Sequence, residues 1–506
     1  MGDRVASVPK VTIIDEIDWN PKPVLHTGMD FRDGVVYYTI PVTRKGSKPG
    51  KGKDADPVPF SELQTYTITS DHEGFWYDEE GLDNYGFLPN PQVYQEQEPR
   101  WSLTSAKAFL DGKATPPSTD DLFTELRDIY VAHVEYSDEH FYDVMALYIM
   151  YTYVFRLFES TGYLHFNGTA ASGKSRNLSI LDVLAFNSTW ASSMSAASLY
   201  RKLAGSPGTT LLDESEGFDG ERGEELRRIL NAGYKDGATA VRTEKGANDR
   251  FVPIEYDVYG PKALASINPL DNVIGSRCLV IGMRPAIRQL TEFETHDKKW
   301  NDVRDRLYLW AMDNMADIDA LARTWRNGKR AKLAPKLIGR QWEITSQFIV
   351  LADYVNGEEY AAKIIEFLNT YFKKQQEGMD ATDRLRTTLR CLPRVLATKV
   401  PHPTHMYAIK DIHEVVSSFM ETDSTEYFKT KHVAKNLDTI GFRNKVRASG
   451  GLRIELEENA VRHEFRQRRV EPFEEDLPWF NGERSYQDAK LIAKEEEDTV
   501  WWQNET

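Results

Sequence analysis

Eight consecutive residues, Gly168-Thr169-Ala170-Ala171-Ser172-Gly173-Lys174-Ser175, carry the pattern GxxxxGK[ST]. They follow the apolar run YLHF and precede NLSILDVLAF, whose spacing predicts a helix. A strand, a glycine-rich loop and a helix in that order form a phosphate cradle. The glycines let backbone N–H groups converge on phosphate oxygens, and the helix N-terminus adds positive potential. Lys174 would reach the β- and γ-phosphates, and the Ser175 hydroxyl would ligate Mg²⁺. The implied ligands are ATP and Mg²⁺. In TTLLDE, 39 residues after Lys174, a short apolar strand ends in Asp213 and Glu214. Asp213 would hold the Mg²⁺ water shell, and Glu214 would orient and polarise the attacking water.

Two further residues separate a motor from a plain nucleotide hydrolase. The strand ALASI ends at Asn268, an amide suited to sensing a γ-phosphate. Nine residues on, Arg277 is suited to stabilising transition-state charge on a neighbouring subunit's nucleotide, which requires a head-to-tail ring. Between Glu214 and Asn268 a hairpin is expected, ATAVRT then RFVPIEY, with Lys245 near its tip and Arg242 and Arg250 beside it. Such a hairpin would grip a phosphate backbone in a pore. The bland alternative is an exposed hairpin with solvated charges.

The succession GTAASGKS, TTLLDESEGF, LRRILNAGYKDGATAVR, YGPKALASIN and SRCLVIGMR resembles the helicase-type AAA+ ATPases of phages, plasmids and integrated elements, close in plan to superfamily-three helicases. The resemblance covers about residues 140–350. It implies a homo-oligomeric ring, usually a hexamer, that translocates on DNA and unwinds it. It implies Lys174 and Ser175 as the P-loop pair, Asp213 and Glu214 as the Walker B pair, Asn268 as sensor one, Arg277 as arginine finger and Lys245 as the pore-hairpin lysine. Arg340, in GRQWEITSQFIVLADY, stands where a lid helix would offer a second sensor. No primase motif set is recognisable in the first 106 residues.

These residues need elements to hold them. The expected fold is an α/β P-loop NTPase with an AAA+-like core, an N-terminal β-rich domain, a helical lid and a C-terminal winged-helix-like module. The division runs 1–106 (β-rich, with strands GVVYYTIPV and LQTYTITS around a Gly/Pro/Lys loop at 44–57), 107–160 (helical linker or collar), 161–285 (ATPase core), 286–400 (helical lid region), 401–470 (winged-helix-like module) and 471–506 (acidic tail). One helix should open at Ser118, and a second should run from about Asp138 to Glu159. YLHF, TTLL, YDVYG and ALASI are the expected core strands, their alternation with helices pointing to a parallel sheet.

Over 427–469 there are 11 Lys/Arg and 5 Asp/Glu. A helix ending at Gly441 and a basic Gly-Gly hairpin give a winged-helix look, with Lys431, Lys435, Arg443, Lys445 and Arg447 as candidate DNA contacts. Elsewhere the chain is acidic: 78 acids against 63 bases in 506 residues, net charge −15. Nucleic-acid contact is therefore confined to local basic patches. The two cysteines, Cys278 and Cys391, have no CxxC spacing, so neither a disulfide framework nor a cysteine zinc site is expected. The apolar stretch Val144–Phe155 is too short for a bilayer. No signal peptide is expected, so the location would be cytoplasmic, the host's cytoplasm if viral. The reading is a DNA helicase or translocase of a mobile element or virus. Its alternative is an initiator or assembly factor that uses ATP as an oligomerisation switch. A protein-remodelling machine would prefer an aromatic pore loop to a basic one.

Overall fold

The computed structural model describes residues 22–48, 58–92, 94, 96–191, 194–213, 220–245, 251–399, 401, 405–419, 429–448, 451–468, 470 and 472–473. The chain forms two compact units, Met1–Asn369 and Thr370–Thr506.

The first unit opens with β1 (Val24–Leu25), β2 (Met29–Arg32), β3 (Val35–Lys48), β4 (Val58–Thr69), β5 (Gly74–Trp76), α1 (Glu79–Asn84), β6 (Leu88–Pro89) and α2 (Leu103–Leu110). β2 to β5 make an antiparallel sheet in chain order. The expected loop at 44–57 is shorter than the Gly/Pro/Lys composition suggests. β3 continues to Lys48, which pairs with Val58, because both arms keep ladder hydrogen bonds beyond the β-branched run. Then come α3 (Thr119–His133) and α4 (His140–Thr152). The Ser118 hydroxyl accepts from Asp121 N–H at 3.4 Å, and Asp120 and Asp121 fill the first turn of α3. α4 is buried on every side from Val144 to Thr152. It stops at Thr152 rather than near Glu159. There the Tyr153 and Val154 amides tighten onto the carbonyls of Met150 and Tyr151, and the Thr152 hydroxyl accepts from Phe186 N–H at 3.0 Å.

The nucleotide-loop layer follows: β7 (Tyr163–Gly168), α5 (Lys174–Leu184), β8 (Thr189–Trp190), α6 (Ala196–Gly205), β9 (Thr210–Leu212), α7 (Gly220–Ala232), β10 (Thr239–Lys245), β11 (Phe251–Asp257), β12 (Lys262–Ser266), α8 (Asn272–Gly275) and β13 (Cys278–Met283). Five of these strands form one parallel sheet in the order β13-β7-β12-β9-β8. β7 is therefore flanked by strands that follow it by different routes, so its carboxyl end is a topological switch point, where open α/β sheets bind ligands. YDVYG is not a core strand. It begins as the last residues of β11, which pairs with β10 in a separate antiparallel hairpin, and ends irregularly. YLHF, TTLL and ALASI lie in the sheet as expected, and its two remaining strands, CLVIGM and the two-residue β8, were not expected from sequence.

At the foot of the hairpin, Lys262 is 1% exposed, and its ammonium donates to the carbonyls of Gly233, Val258 and Gly260 at 3.3, 2.8 and 2.9 Å. Burial pushes it down to about 7.

α9 (Lys299–Thr324), α10 (Arg330–Leu333) and α11 (Arg340–Thr398) complete the first unit and lead into the second. α11 is broken at Asn356 and Gly357, the latter at φ +76°. The N-terminal sheet is tied to the rest of its unit by an aromatic cluster. Tyr38 meets Tyr308 edge-on at 5.1 Å and donates to the Tyr153 carbonyl at 2.5 Å. Trp101 stacks on Tyr308 at 5.1 Å. In the second unit, β14 (Met406–Ala408), β16 (Gly451–Glu455) and β15 (Lys445–Ala448) form a sheet in that order, accompanied by α12 (Ile409–Ser417), α13 (Thr430–Ile440) and α14 (Glu458–Arg468). Its core joins the end of α11 (Leu389, Leu392, Val395) to Ile412, Val433, Leu437, Ile454 and Phe465. Among the described residues, no helix is long and apolar enough to cross a membrane.

Trp101→Ala removes a fully buried indole that stacks on Tyr308. It should cost about 3–5 kcal/mol. A denaturant midpoint indistinguishable from wild type would show that the aromatic cluster does not hold the N-terminal sheet.

Candidate functional site

Loop geometry follows from its small residues. Gly173 sits at φ +89° and Ala171 at φ +58°. A Cβ on Gly168 would lie 2.3 Å from the Met283 carbonyl oxygen, so only glycine lets β7 and β13 close at this end. Ser172 is 3% exposed, and its hydroxyl has no protein partner among the described residues. Lys174 Nζ folds back over the loop and donates to the carbonyls of Gly168 and Thr169, both at 2.7 Å. Ser175 Oγ donates to Asp213 Oδ2 at 3.1 Å. These features fit a triphosphate and a divalent ion: a backbone cradle, an ammonium, and a hydroxyl beside a carboxylate, both hard oxygen donors. Glu214 lies outside the described residues.

A support not foreseen from sequence lies beneath. Asn177, fully buried in α5, donates to the Gly173 carbonyl at 3.0 Å and accepts from the Tyr136 hydroxyl. The contact spans 41 residues, so no local pattern announces it.

Asn268 is exposed just beyond β12, the strand between β7 and β9. It is held by a relay. Ser266 Oγ donates its one proton to the Asn268 carbonyl at 2.6 Å, so His165 Nε2, 2.6 Å from the same oxygen, must be the donor there. The Asn167 amide braces the turn through the Ser266 and Ile267 carbonyls at 3.3 and 3.0 Å. Burial pushes His165 down to about 4, so the ring is neutral at physiological pH.

Arg277 and Arg340 come together on the opposite edge of the sheet. Arg277 precedes β13, and its carbonyl accepts from Tyr163 N–H at the start of β7. The length of β7 thus separates it from its own phosphate loop, about 17 Å at 3.3 Å per residue. Its guanidinium lies 4.6 Å from the centre of the Tyr234 ring, and that of Arg340 lies 4.3 Å from the same ring. Arg340 therefore does not stand over its own Lys174, as a lid residue would. Its helix starts at the amino end of β7, where the Ser160 hydroxyl donates to the Glu343 carbonyl.

The hairpin pairs Lys245 with Phe251 as its last described rung. The Lys245 side chain and Arg250 lie outside the described residues. Arg242 is not at the tip; its guanidinium packs 5.0 Å from the Tyr200 ring, near Glu225 at 3.9 Å. Phe251, 72% exposed, was not singled out from sequence. In the second unit Lys431, Lys435, Arg443 and Arg447 are exposed. Lys445 is not free for a phosphate: it pairs with Asp438 at 2.5 Å and donates to the Ala434 carbonyl at 3.2 Å.

The unfolded chain protonates His165 near 6.5, while the folded chain resists until about 4. Across that window the unfolded state binds the extra proton, so stability falls as pH drops and levels off below about 4. His165→Gln keeps a donor to Ser266 and should show a shallower acid-side fall. An unchanged difference between pH 7 and pH 4 in thermal melts would count against this assignment.

No family model matches the chain, and no curated protein matches it. Among solved structures, the chain is similar to a full-length MCM homolog from Methanopyrus kandleri, with 13% identity over 67% of this chain and 78% of that one, at a TM-score of 0.33. It is also similar to the C-terminal region of NrS-1, with 13% identity over 78% of this chain and 93% of that one, at a TM-score of 0.29.

Proposed function

We propose that the protein is an ATP-driven, ring-forming DNA helicase or translocase of a mobile element or virus, with ATP hydrolysed at subunit interfaces. The observation that carries the hydrolase reading is the meeting of Ser175 and Asp213 at 3.1 Å beside a glycine-built loop. Bound Mg²⁺, held by Ser175 and Asp213, would neutralise developing phosphate charge. Lys174, released from its two carbonyls, binds the β- and γ-phosphates. Glu214 orients the attacking water and takes its proton, and Asn268 helps to hold that water.

The placement of Arg277 across the sheet from its own loop favours action on a neighbour's nucleotide. Arg340, beside it on Tyr234, would face the same neighbour rather than act as a lid sensor. The hairpin carries the DNA part of the reading. Lys245 would meet phosphate, and its cross-strand partner Phe251 offers a ring on which a base can stack. The second unit, read as a winged helix, would add Lys431, Lys435, Arg443 and Arg447 on duplex DNA. The same proposal divides the chain into N-terminal, core, lid and winged-helix-like segments. The exposed Phe251 also suits a protein-remodelling pore, and a forked-duplex unwinding assay separates the readings. Strand separation supports the helicase, and tight DNA binding without it supports the ATP-switched initiator.

Lys174→Ala should abolish ATP hydrolysis; retained turnover removes the phosphate-site reading. Arg277→Ala should lower turnover by about 10³-fold with ATP binding nearly intact. Mixing Arg277→Ala with Glu214→Gln subunits should restore part of the activity, and no rescue at any ratio excludes action in trans. Lys435→Gln should reduce the salt slope of DNA binding by about 0.9, one phosphate contact, and Lys445→Gln should leave it unchanged. Equal slopes for both variants would contradict the division between free and paired lysines.

A further inference from the structure

The second unit holds positive charge that its described carboxylates do not neutralise. Arg386, Arg390 and Arg394 recur at four-residue spacing, one stripe along the end of α11. On the side of α11 turned to α13, Thr388 Oγ1 accepts from the Asn436 amide at 2.9 Å. Arg384, one turn earlier, adds to the basic side of α13. Desolvation, and after it the charges of Lys431, Arg384, Lys429 and Lys435, hold His432 below its usual range. Among the described residues, Lys399, Lys445, Arg462 and Arg468 each have a carboxylate partner, and Arg384, Arg386, Arg390, Lys431 and Lys435 have none. Arg390 Nε is also buried with no hydrogen-bond partner among them.

The missing negative charge lies in the same unit. Residues 474–506 hold 10 Asp/Glu and 3 Lys/Arg, and two acid runs dominate, EED at 474–476 and EEED at 495–498. The described chain delivers this segment to the basic surface. Val470 and Phe473 pack against the core of the unit. Phe473 stacks on Phe419 at 4.9 Å, and the Arg390 and Arg394 guanidiniums lie 4.1 and 5.5 Å from the centre of its ring. The first acid run therefore starts beside the arginine stripe. The second run begins 22 residues after Phe473, a reach of up to about 70 Å. A domain of about 100 residues is roughly 35 Å across, so α13 is within range.

We propose that residues 474–506 dock on the basic surface of their own unit, with 474–476 against Arg386 and Arg390 and 495–498 against Arg384, Lys431 and Lys435, and that duplex DNA must displace them. The proposal rests on the reading of α13 as a DNA-binding helix and adds its regulation. A run of carboxylates presents closely spaced negative charge, as a phosphate backbone does, so the two compete for the same ammonium and guanidinium groups. The tether raises the effective concentration of the acidic segment to the order of mM, and the cost of displacing it lowers the affinity of the surface for DNA.

The test titrates a labelled duplex with the full chain and reads binding by fluorescence anisotropy. Neutralising the second run, with Glu495→Gln, Glu496→Gln, Glu497→Gln and Asp498→Asn together, should tighten binding at least about fivefold at about 50 mM salt, and the gain should shrink by about 200 mM. The same change of charge at Asp71, Glu79, Glu80 and Asp128, all exposed in the first unit, should alter affinity less than about twofold. Carbodiimide, which joins a carboxylate to an adjacent amine, should link 495–498 to Lys431 or Lys435 in the DNA-free protein, and saturating duplex should suppress the link. Unchanged affinity in the first variant, an equal gain in the control or absence of the crosslink each overturns the proposal. The underlying reading fails separately. If Lys431→Gln with Lys435→Gln leaves the duplex affinity of the neutralised variant unchanged, α13 is not a DNA surface, and the competition falls with it whatever the crosslinks show.

Discussion

Ser175 and Asp213 belong to segments two strands apart, and everything at the site depends on their meeting. β12 lies between β7 and β9, so the ends of the two strands that carry the loop and the carboxylate are about 9.6 Å apart in the sheet. The gap closes because α5 turns back across β12 immediately after Gly173. β12 packs against α5, and small side chains, Ala263 and Ala265, share one of its faces. The left-handed turn at Gly173 sets the angle of entry, and Asn177 fixes it by holding the Gly173 carbonyl. A bulkier β12 would lift α5 and open the Ser175–Asp213 contact without altering either residue.

The parallel sheet also sorts the chemistry by edge. Carboxyl ends of strands carry the loop, Asp213 and Asn268; an amino end carries Arg277, with Tyr234 and Arg340 against it. A parallel strand of five or six residues is long enough that groups at its two ends do not meet within one chain. Under the proposed reading this length is what makes a lone subunit catalytically incomplete and ties turnover to assembly.

The parts legible in sequence were those whose physics is local. GxxxxGKS is a contiguous backbone requirement, the Ser118 cap is one turn of helix, and β10 and β11 are neighbours in the chain, five residues apart. TTLL and ALASI stood out as apolar runs ending in polar groups. Illegible parts were those fixed by distant partners. Asn177 is an unremarkable helix residue until Tyr136 reaches it, and the irregular segment 284–291 after β13 has no periodicity at all. CLVIGM is a short apolar run that only pairing with β7 identifies as a strand. Lys445 counted as free positive charge because composition does not show that Asp438 lies one helix face away. The end of α4 is hidden for a similar reason: the apolar pattern runs on, but the Thr152 hydroxyl is claimed by Phe186 from another element.

Lys262 has a mechanical consequence. Its ammonium stands at the head of β12, whereas the carbonyls it binds belong to the end of α7 and to the segment joining β11 to β12. The root of the hairpin is thus bolted to the same strand that leads to Asn268. A displacement of β12 is therefore passed to the base of two arms that each run seven residues, while Arg201 holds their outer part through Glu244.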